Sequence, residues 1–127
     1  FAIYQPVDAQ RKEKDTKASA AFEAGEYYVA IDLYKKAYNK VSDKDKKSEV
    51  VFKIAECYRI TGESRQAEMW YKKAIQQDYQ NPELYLRYGQ ISLKNKKYDI
   101  STEQFEKFKE LVPDDPRGSW GIESANL

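Results

Sequence analysis

A spaced motif that recurs along the chain limits what it can fold into. Gly25-Glu26-Tyr27 leads into Ala30-Ile31, then Tyr34 and Ala37. The pattern returns 37 residues later as Gly62, Ala67, Tyr71 and Ala74, and 34 residues after that, in weaker form, as Lys96, Ser101, Phe105 and Phe108. A period of about 34 residues marks a unit of two helices that stacks on copies of itself. One such unit cannot bury its own apolar face, so the units share a continuous core and present an extended groove. That geometry points away from an enclosed catalytic pocket and toward holding other polypeptides.

The residues between the motifs place the helices. Pro6 interrupts residues 1–7, which read as an irregular leader. Asp8 is positioned to cap a first helix running to about Ala24, and Gly25 ends it, because glycine adopts the left-handed conformation after a helix without steric cost. A second helix is expected from Tyr27 to Val41, with Ala30, Ile31, Tyr34, Ala37, Tyr38 and Val41 on one stripe. Ser42 to Lys47 form a polar connector, and it holds the three extra residues of the first period. Further helices are expected over Asp45–Ile60, Ser64–Gln77 and Pro82–Lys94, the last capped by Asn81, and over Tyr98–Leu111, stopped by Pro113. Asp114-Asp115-Pro116 starts a final helix carrying Trp120, Ile122 and Ala125, which Gly118 and Gly121 weaken on propensity. The expected fold is therefore all-α: three helix-turn-helix repeats in one domain over 1–127, at about 9–42, 45–79 and 81–113, with a capping helix over 115–127.

Composition supports a folded, helical chain. Of 127 residues 34% are charged, and the mean hydropathy of −0.89 fits long surface helices rich in Lys and Glu. Lys and Arg total 22 against 21 Asp and Glu, so the basic excess of a nucleic-acid binder is absent. No apolar run is long enough to span a membrane, so direct membrane insertion is not expected. The chain begins at Phe1, which reads as a mature or trimmed form and is compatible with a removed signal sequence.

With the helices placed, the residues resemble the tetratricopeptide repeat (TPR). The second repeat supplies Val51, Ile54-Ala55 and Tyr58 on its first helix (helix A), then Ala67, Tyr71 and Ala74 on its second (helix B). The third supplies Tyr85, Tyr88-Gly89, Ser101, Phe105, Phe108 and Pro113. The first repeat matches only on helix B, because Lys14 and Lys17 stand where helix A should be apolar. The resemblance implies a right-handed solenoid whose inner groove is lined by one face of each helix A. A narrower resemblance rests on AGEYYVAIDLYKKAY and FKELVPDDPRGSWGIES. Together these are similar to the N-terminal TPR segment of OmpA-type envelope proteins, in which a β-propeller and a peptidoglycan-binding domain follow. That resemblance implies a periplasmic or outer-membrane-associated scaffold, with a cytosolic adaptor that binds an extended peptide, or a passive helical spacer, as the alternatives.

Candidate chemistry is sparse. The chain has no histidine, and its one cysteine, Cys57, sits mid-helix beside Ala55 and Tyr58, where a packed thiol is expected. Neither Glu23 with Glu26 nor Asp114 with Asp115 forms a catalytic pair, and the acids lack calcium-loop spacing. No catalytic residue, metal site or cofactor is expected. Tyr34, Tyr58, Tyr71, Tyr88 and Phe105 recur at the repeat period and read as the packed seam. Tyr28, Trp70, Tyr79 and Trp120 fit that seam less well and are candidates for partner contact.

Mapped onto the TPR pattern, the groove face carries Lys12, Asp15, Ser19 and Phe22, then Glu49, Phe52, Glu56 and Arg59, then Glu83, Leu86, Gln90 and Leu93. Phe22, Phe52, Glu56, Arg59, Leu86, Gln90 and Leu93 are the expected partner-binding set, with Phe52, Arg59, Leu86 and Leu93 solvent-accessible. No asparagine lies on this face, which argues against the lysine–asparagine clamp by which chaperone-binding TPR domains grip a terminal carboxylate. Trp120 and Leu127 are expected to dock a downstream domain of the same chain. The expected partner is thus a protein, a peptide or a following domain.

Overall fold

Seven α-helices, and no strand among the described residues, carry the chain from residue 16 to residue 127 in the computed structural model, which describes those residues. They are α1 (Thr16–Glu23), α2 (Tyr27–Lys40), α3 (Lys44–Ile60), α4 (Ser64–Gln76), α5 (Glu83–Lys94), α6 (Tyr98–Leu111) and α7 (Arg117–Ala125). The sequence-based boundaries hold to within two residues from α2 to α6. The expected cap at Asp8 lies outside the described residues.

Local chemistry sets the ends. Asp43 accepts a hydrogen bond from the Lys46 backbone N–H at 3.0 Å and so caps α3. Asn81 and Asp115 do the same for the Glu83 and Arg117 N–H groups, both at 3.0 Å. Four helix exits share one construction. Gly25, Gly62, Asp78 and Lys96 all have positive φ, at 78°, 83°, 58° and 64°. At each, the following residue's N–H bonds back five residues, as Glu26 does to Ala21, Glu63 to Tyr58, Tyr79 to Ala74 and Lys97 to Ser92. This is the Schellman arrangement, which satisfies carbonyls that a helix end otherwise leaves open.

The core is a run of three clusters, one at each junction of the stack. Ala18, Ala21, Ala30, Ile31 and Tyr34 meet Val50, Ile54 and Cys57 of α3. The other side of α3 gives Val51, Phe52 and Ala55 to a second cluster with Ala67, Tyr71, Ala74, Leu84, Tyr88 and Ile91. The third cluster joins Leu86, Phe105 and Phe108 to Ile122 of α7. α3 is therefore apolar on two faces because it is packed on two neighbours.

The motif residues occupy equivalent buried places: Ala30, Ala67 and Ser101, then Tyr34, Tyr71 and Phe105. Ser101 replaces alanine at no polar cost, since its hydroxyl donates to the Gly89 carbonyl at 2.8 Å. Polar side chains also tie each turn to the preceding repeat. The Tyr28 hydroxyl donates to Glu63 at 2.7 Å, and Lys97 and Asn95 donate to the buried Glu68 at 2.6 and 2.7 Å.

Candidate interaction face

Three helices present a line of charges on the helix A face. α3 contributes Glu56 and Arg59, one turn apart; α5 contributes Glu83, Arg87 and Gln90; α7 contributes Arg117. Arg59 donates from Nε and Nη2 to the two Glu56 oxygens at 3.2 and 3.1 Å. Tyr71 of α4 reaches up from the core, donates its hydroxyl to Glu56, and accepts from Arg59 Nε at 3.1 Å. Arg87 Nε stands 4.0 Å from Glu56, and Arg87 Nη2 lies 3.6 Å from Glu83. Arg117 grips Glu83 with two parallel bonds of 2.9 and 3.1 Å and also holds Asp115 at 2.8 Å. Sign alternates along the whole line: Arg59, Glu56, Arg87, Glu83, Arg117, Asp115.

The electrostatics follow from that order. Burial pushes the Tyr71 phenol far above its ordinary range, and the Glu56 carboxylate adds to the effect. Burial opposes the charge on Arg59, but the bonds to Glu56 outweigh it and its pKa rises. Hydrogen bonds from Arg117 hold the Asp115 carboxyl below its usual value, and Asp115 and Glu83 together raise that of Arg117. Such bidentate guanidinium–carboxylate pairs are geometrically specific. One donor is left over. Arg87 Nε is buried and makes no hydrogen bond among the described residues, while its Nη1 donates to the Gln90 side chain at 3.2 Å. At the N-terminal end of this face, a recess of about 220 Å³ opens beside Lys46, Glu49 and Tyr79.

The expected groove residues divide. Gln90 is exposed, and Glu56, Arg59 and Leu93 are partly so, all along this face. Phe52 and Leu86, expected to be solvent-accessible, are not: they are 6% and 1% exposed. Phe52 is covered by Tyr79, whose ring stacks on it with centroids 4.9 Å apart, and Leu86 lies beneath Phe105 and Phe108. Phe22 is partly buried, edge-on to Tyr27 at 5.4 Å and under the Lys53 ammonium. Lys12 and Asp15 lie outside the described residues. Arg87, Arg117 and Asp115 were missed by the sequence reading, because nothing in one helix's spacing reveals an ion pair made across three.

At the C-terminal end, Trp120 is 60% exposed and Leu127 is fully so, while Ile122 packs inward. Cys57 is wholly buried, and burial raises its thiol to about 11. No helix among the described residues is long and apolar enough to cross a membrane.

The sequence profile described as "Domain of unknown function (DUF6340)" matches residues 16–109. The chain belongs to the DUF6340 family. No curated protein matches the sequence. Solved structures place the DUF6340 chain among TPR folds. It is similar to the Sgt2 TPR domain from Aspergillus fumigatus, with a TM-score of 0.74 at 21% identity over 96% of this chain and 78% of that one. It is similar to the second TPR domain of human RPAP3, solved in complex with the HSP70 peptide SGPTIEEVD, with a TM-score of 0.78 at 18% identity over 94% and 98%. PcrH from Pseudomonas aeruginosa also gives 0.78, at 13% identity over 99% and 96%. The fold is a TPR-like helical solenoid, as its repeat period predicts.

Proposed function

We propose that this chain is a non-enzymatic scaffold that binds a protein or an extended peptide along its helix A face. One observation carries the reading. Charged and amide side chains of α3, α5 and α7 converge there, and Arg87 Nε, 4.0 Å from Glu56, makes no hydrogen bond among the described residues. A peptide carbonyl would satisfy that donor. The fold supports this, since a solved neighbour, the second TPR domain of human RPAP3, carries a bound peptide. Because the line of charges is internally balanced, the favoured ligand is a polar, near-neutral segment, not one gripped by a terminal carboxylate.

Selection from a random displayed-peptide library on the immobilised protein tests the proposal. Enriched peptides should bind the parent and lose about tenfold in affinity to Arg87→Gln or Gln90→Ala, the cost of one good buried hydrogen bond. Enriched peptides indifferent to both variants would place binding elsewhere. A library that enriches nothing would favour the passive spacer.

We also propose a setting in the bacterial envelope, as part of a larger outer-membrane-associated protein in which Trp120 and Leu127 meet a following domain. The support is the resemblance of AGEYYVAIDLYKKAY and FKELVPDDPRGSWGIES to OmpA-type segments, together with the exposure of Trp120. Cell fractionation of the native gene product checks it: recovery in the cytosol, with no processed leader, would favour the adaptor reading instead.

A further inference from the structure

Away from the helix A face, six side chains of α2, α3 and α4 alternate between ring and ammonium: Tyr58, Lys35, Trp70, Lys73, Tyr38, Lys47. Lys35 Nζ lies 5.8 Å from the Tyr58 ring centroid and 5.5 Å from that of Trp70. Lys73 Nζ lies 4.8 Å from Trp70 and 5.0 Å from Tyr38, and Lys47 Nζ is 4.0 Å from Tyr38. The remaining polar contacts of these lysines are neutral. Lys35 donates to the Tyr58 hydroxyl at 3.3 Å and Lys47 to the Tyr38 carbonyl at 2.9 Å. Among the described residues no carboxylate pairs with Lys35, Lys47 or Lys73, although the chain holds almost as many acids as bases.

A ring face attracts an ammonium without neutralising it. Each lysine in the ladder therefore keeps its full charge while its position is held. Holding long side chains in place in advance lowers the entropy cost of pairing with a ligand. Half-buried Trp and Tyr rings between fixed charges also supply the contact area typical of binding hot spots. We propose that this ladder is a docking surface for an acidic segment of another protein, whose carboxylates pair with Lys35, Lys73 and Lys47 while its backbone lies across Trp70. Charge complementarity selects that occupant. A nucleic acid is less well served, because three cations on a chain of net charge +1 give little of the phosphate neutralisation that such binding needs. The surface shares no residue with the helix A face, so it stands or falls separately.

The test uses Trp70 as its own reporter. In a Trp120→Phe background, emission of the remaining tryptophan is followed while a capped oligo-glutamate peptide is added, with a capped Gly-Ser peptide and oligothymidylate in parallel. A saturable change with oligo-glutamate alone is expected. It should weaken about tenfold in Lys35→Gln/Lys73→Gln, or when salt is raised to about 0.5 M. Lys94→Gln/Lys107→Gln, which removes equal charge from the third repeat, should leave it unchanged. Glutamine keeps most of the lysine stem, and a thermal melt checks the fold; exposed Lys35→Gln alone serves if the double variant is damaged. No saturable change up to about 1 mM peptide, an equal loss in the third-repeat control, or tighter binding of oligothymidylate would each overturn the proposal.

Discussion

The ring of Phe105 lies so close to Gly121 that a Cβ built there would stand 2.5 Å from its Cδ1. The same ring approaches Gly89 of α5 from the other side, where a Cβ would stand 2.7 Å from its Cε1. One aromatic side chain of α6 is thus wedged between glycines of two other helices. The Gly121→Ala substitution should destabilise the protein by about 1–3 kcal/mol through overpacking, less the roughly 1 kcal/mol that alanine returns in helix propensity. Urea unfolding measures the balance. A variant as stable as the parent would mean that Phe105 has room to move.

Lys96 occupies the left-handed position that glycine fills at residues 25 and 62. A non-glycine residue there costs about 1–2 kcal/mol, of which the extra freedom of glycine in the unfolded chain takes back about half. Lys96→Gly should therefore raise stability by about 0.5–1 kcal/mol, and Gly62→Ala should lower it. Paired denaturant melts check the opposite signs.

The Tyr71 hydroxyl is buried against Glu56 and Arg59. Tyr71→Phe leaves that pair without its third member and should cost about 1–3 kcal/mol. Tyr71→Ala adds a cavity and should cost about 3–5 kcal/mol. If the phenylalanine variant melts with the parent, the hydroxyl contributes nothing net and only the ring matters.

Cys57 gives a pH dependence with a definite sign. Its thiol titrates near 9.0 when unfolded and at about 11 when folded, because burial disfavours the thiolate. The folded state holds its proton more tightly, so this contribution is complete below pH 9.0 and is lost as pH rises toward about 11. Stability should decline over that window, and Cys57→Ala should flatten the decline. An unchanged slope between variants would assign the loss to the tyrosines.

Trp120 is 60% exposed whereas Trp70 is half-buried among lysines and tyrosines. Acrylamide should quench the Trp70→Phe variant, which retains Trp120, more efficiently than the Trp120→Phe variant. The reverse order would mean that α7 turns its tryptophan inward.

Helix order, helix ends and the seam were readable from the chain because each depends on neighbours in sequence. Periodic Ala30, Ala67 and Ser101, with Tyr34, Tyr71 and Phe105, set the register, and the structure buries all six. The interaction face was readable only in part. Spacing within α3 and α5 assigned Phe52 and Leu86 to a face; it could not show that Tyr79 folds back over one and that Phe105 and Phe108 cover the other. Gly118 and Gly121 look like weak points by propensity. In space they are where α7 comes closest, Gly118 against the Lys109 backbone and Gly121 against Phe105.

In a stack whose helices touch only their neighbours in sequence, disorder entering at one end travels inward one helix at a time. Contacts between helices two apart prevent that along the array: Lys35 and Trp70 join α2 to α4, and Arg87 faces Glu56 across α5 and α3. At the C-terminal end the Glu83–Arg117 fork ties α5 directly to α7 while α6 packs between them. Three helices then form a closed loop of contacts, and a loop stays joined when any single link parts. The last helix, although only nine residues long, is fastened to two partners and not hung from one, so this end of the array should loosen as a block.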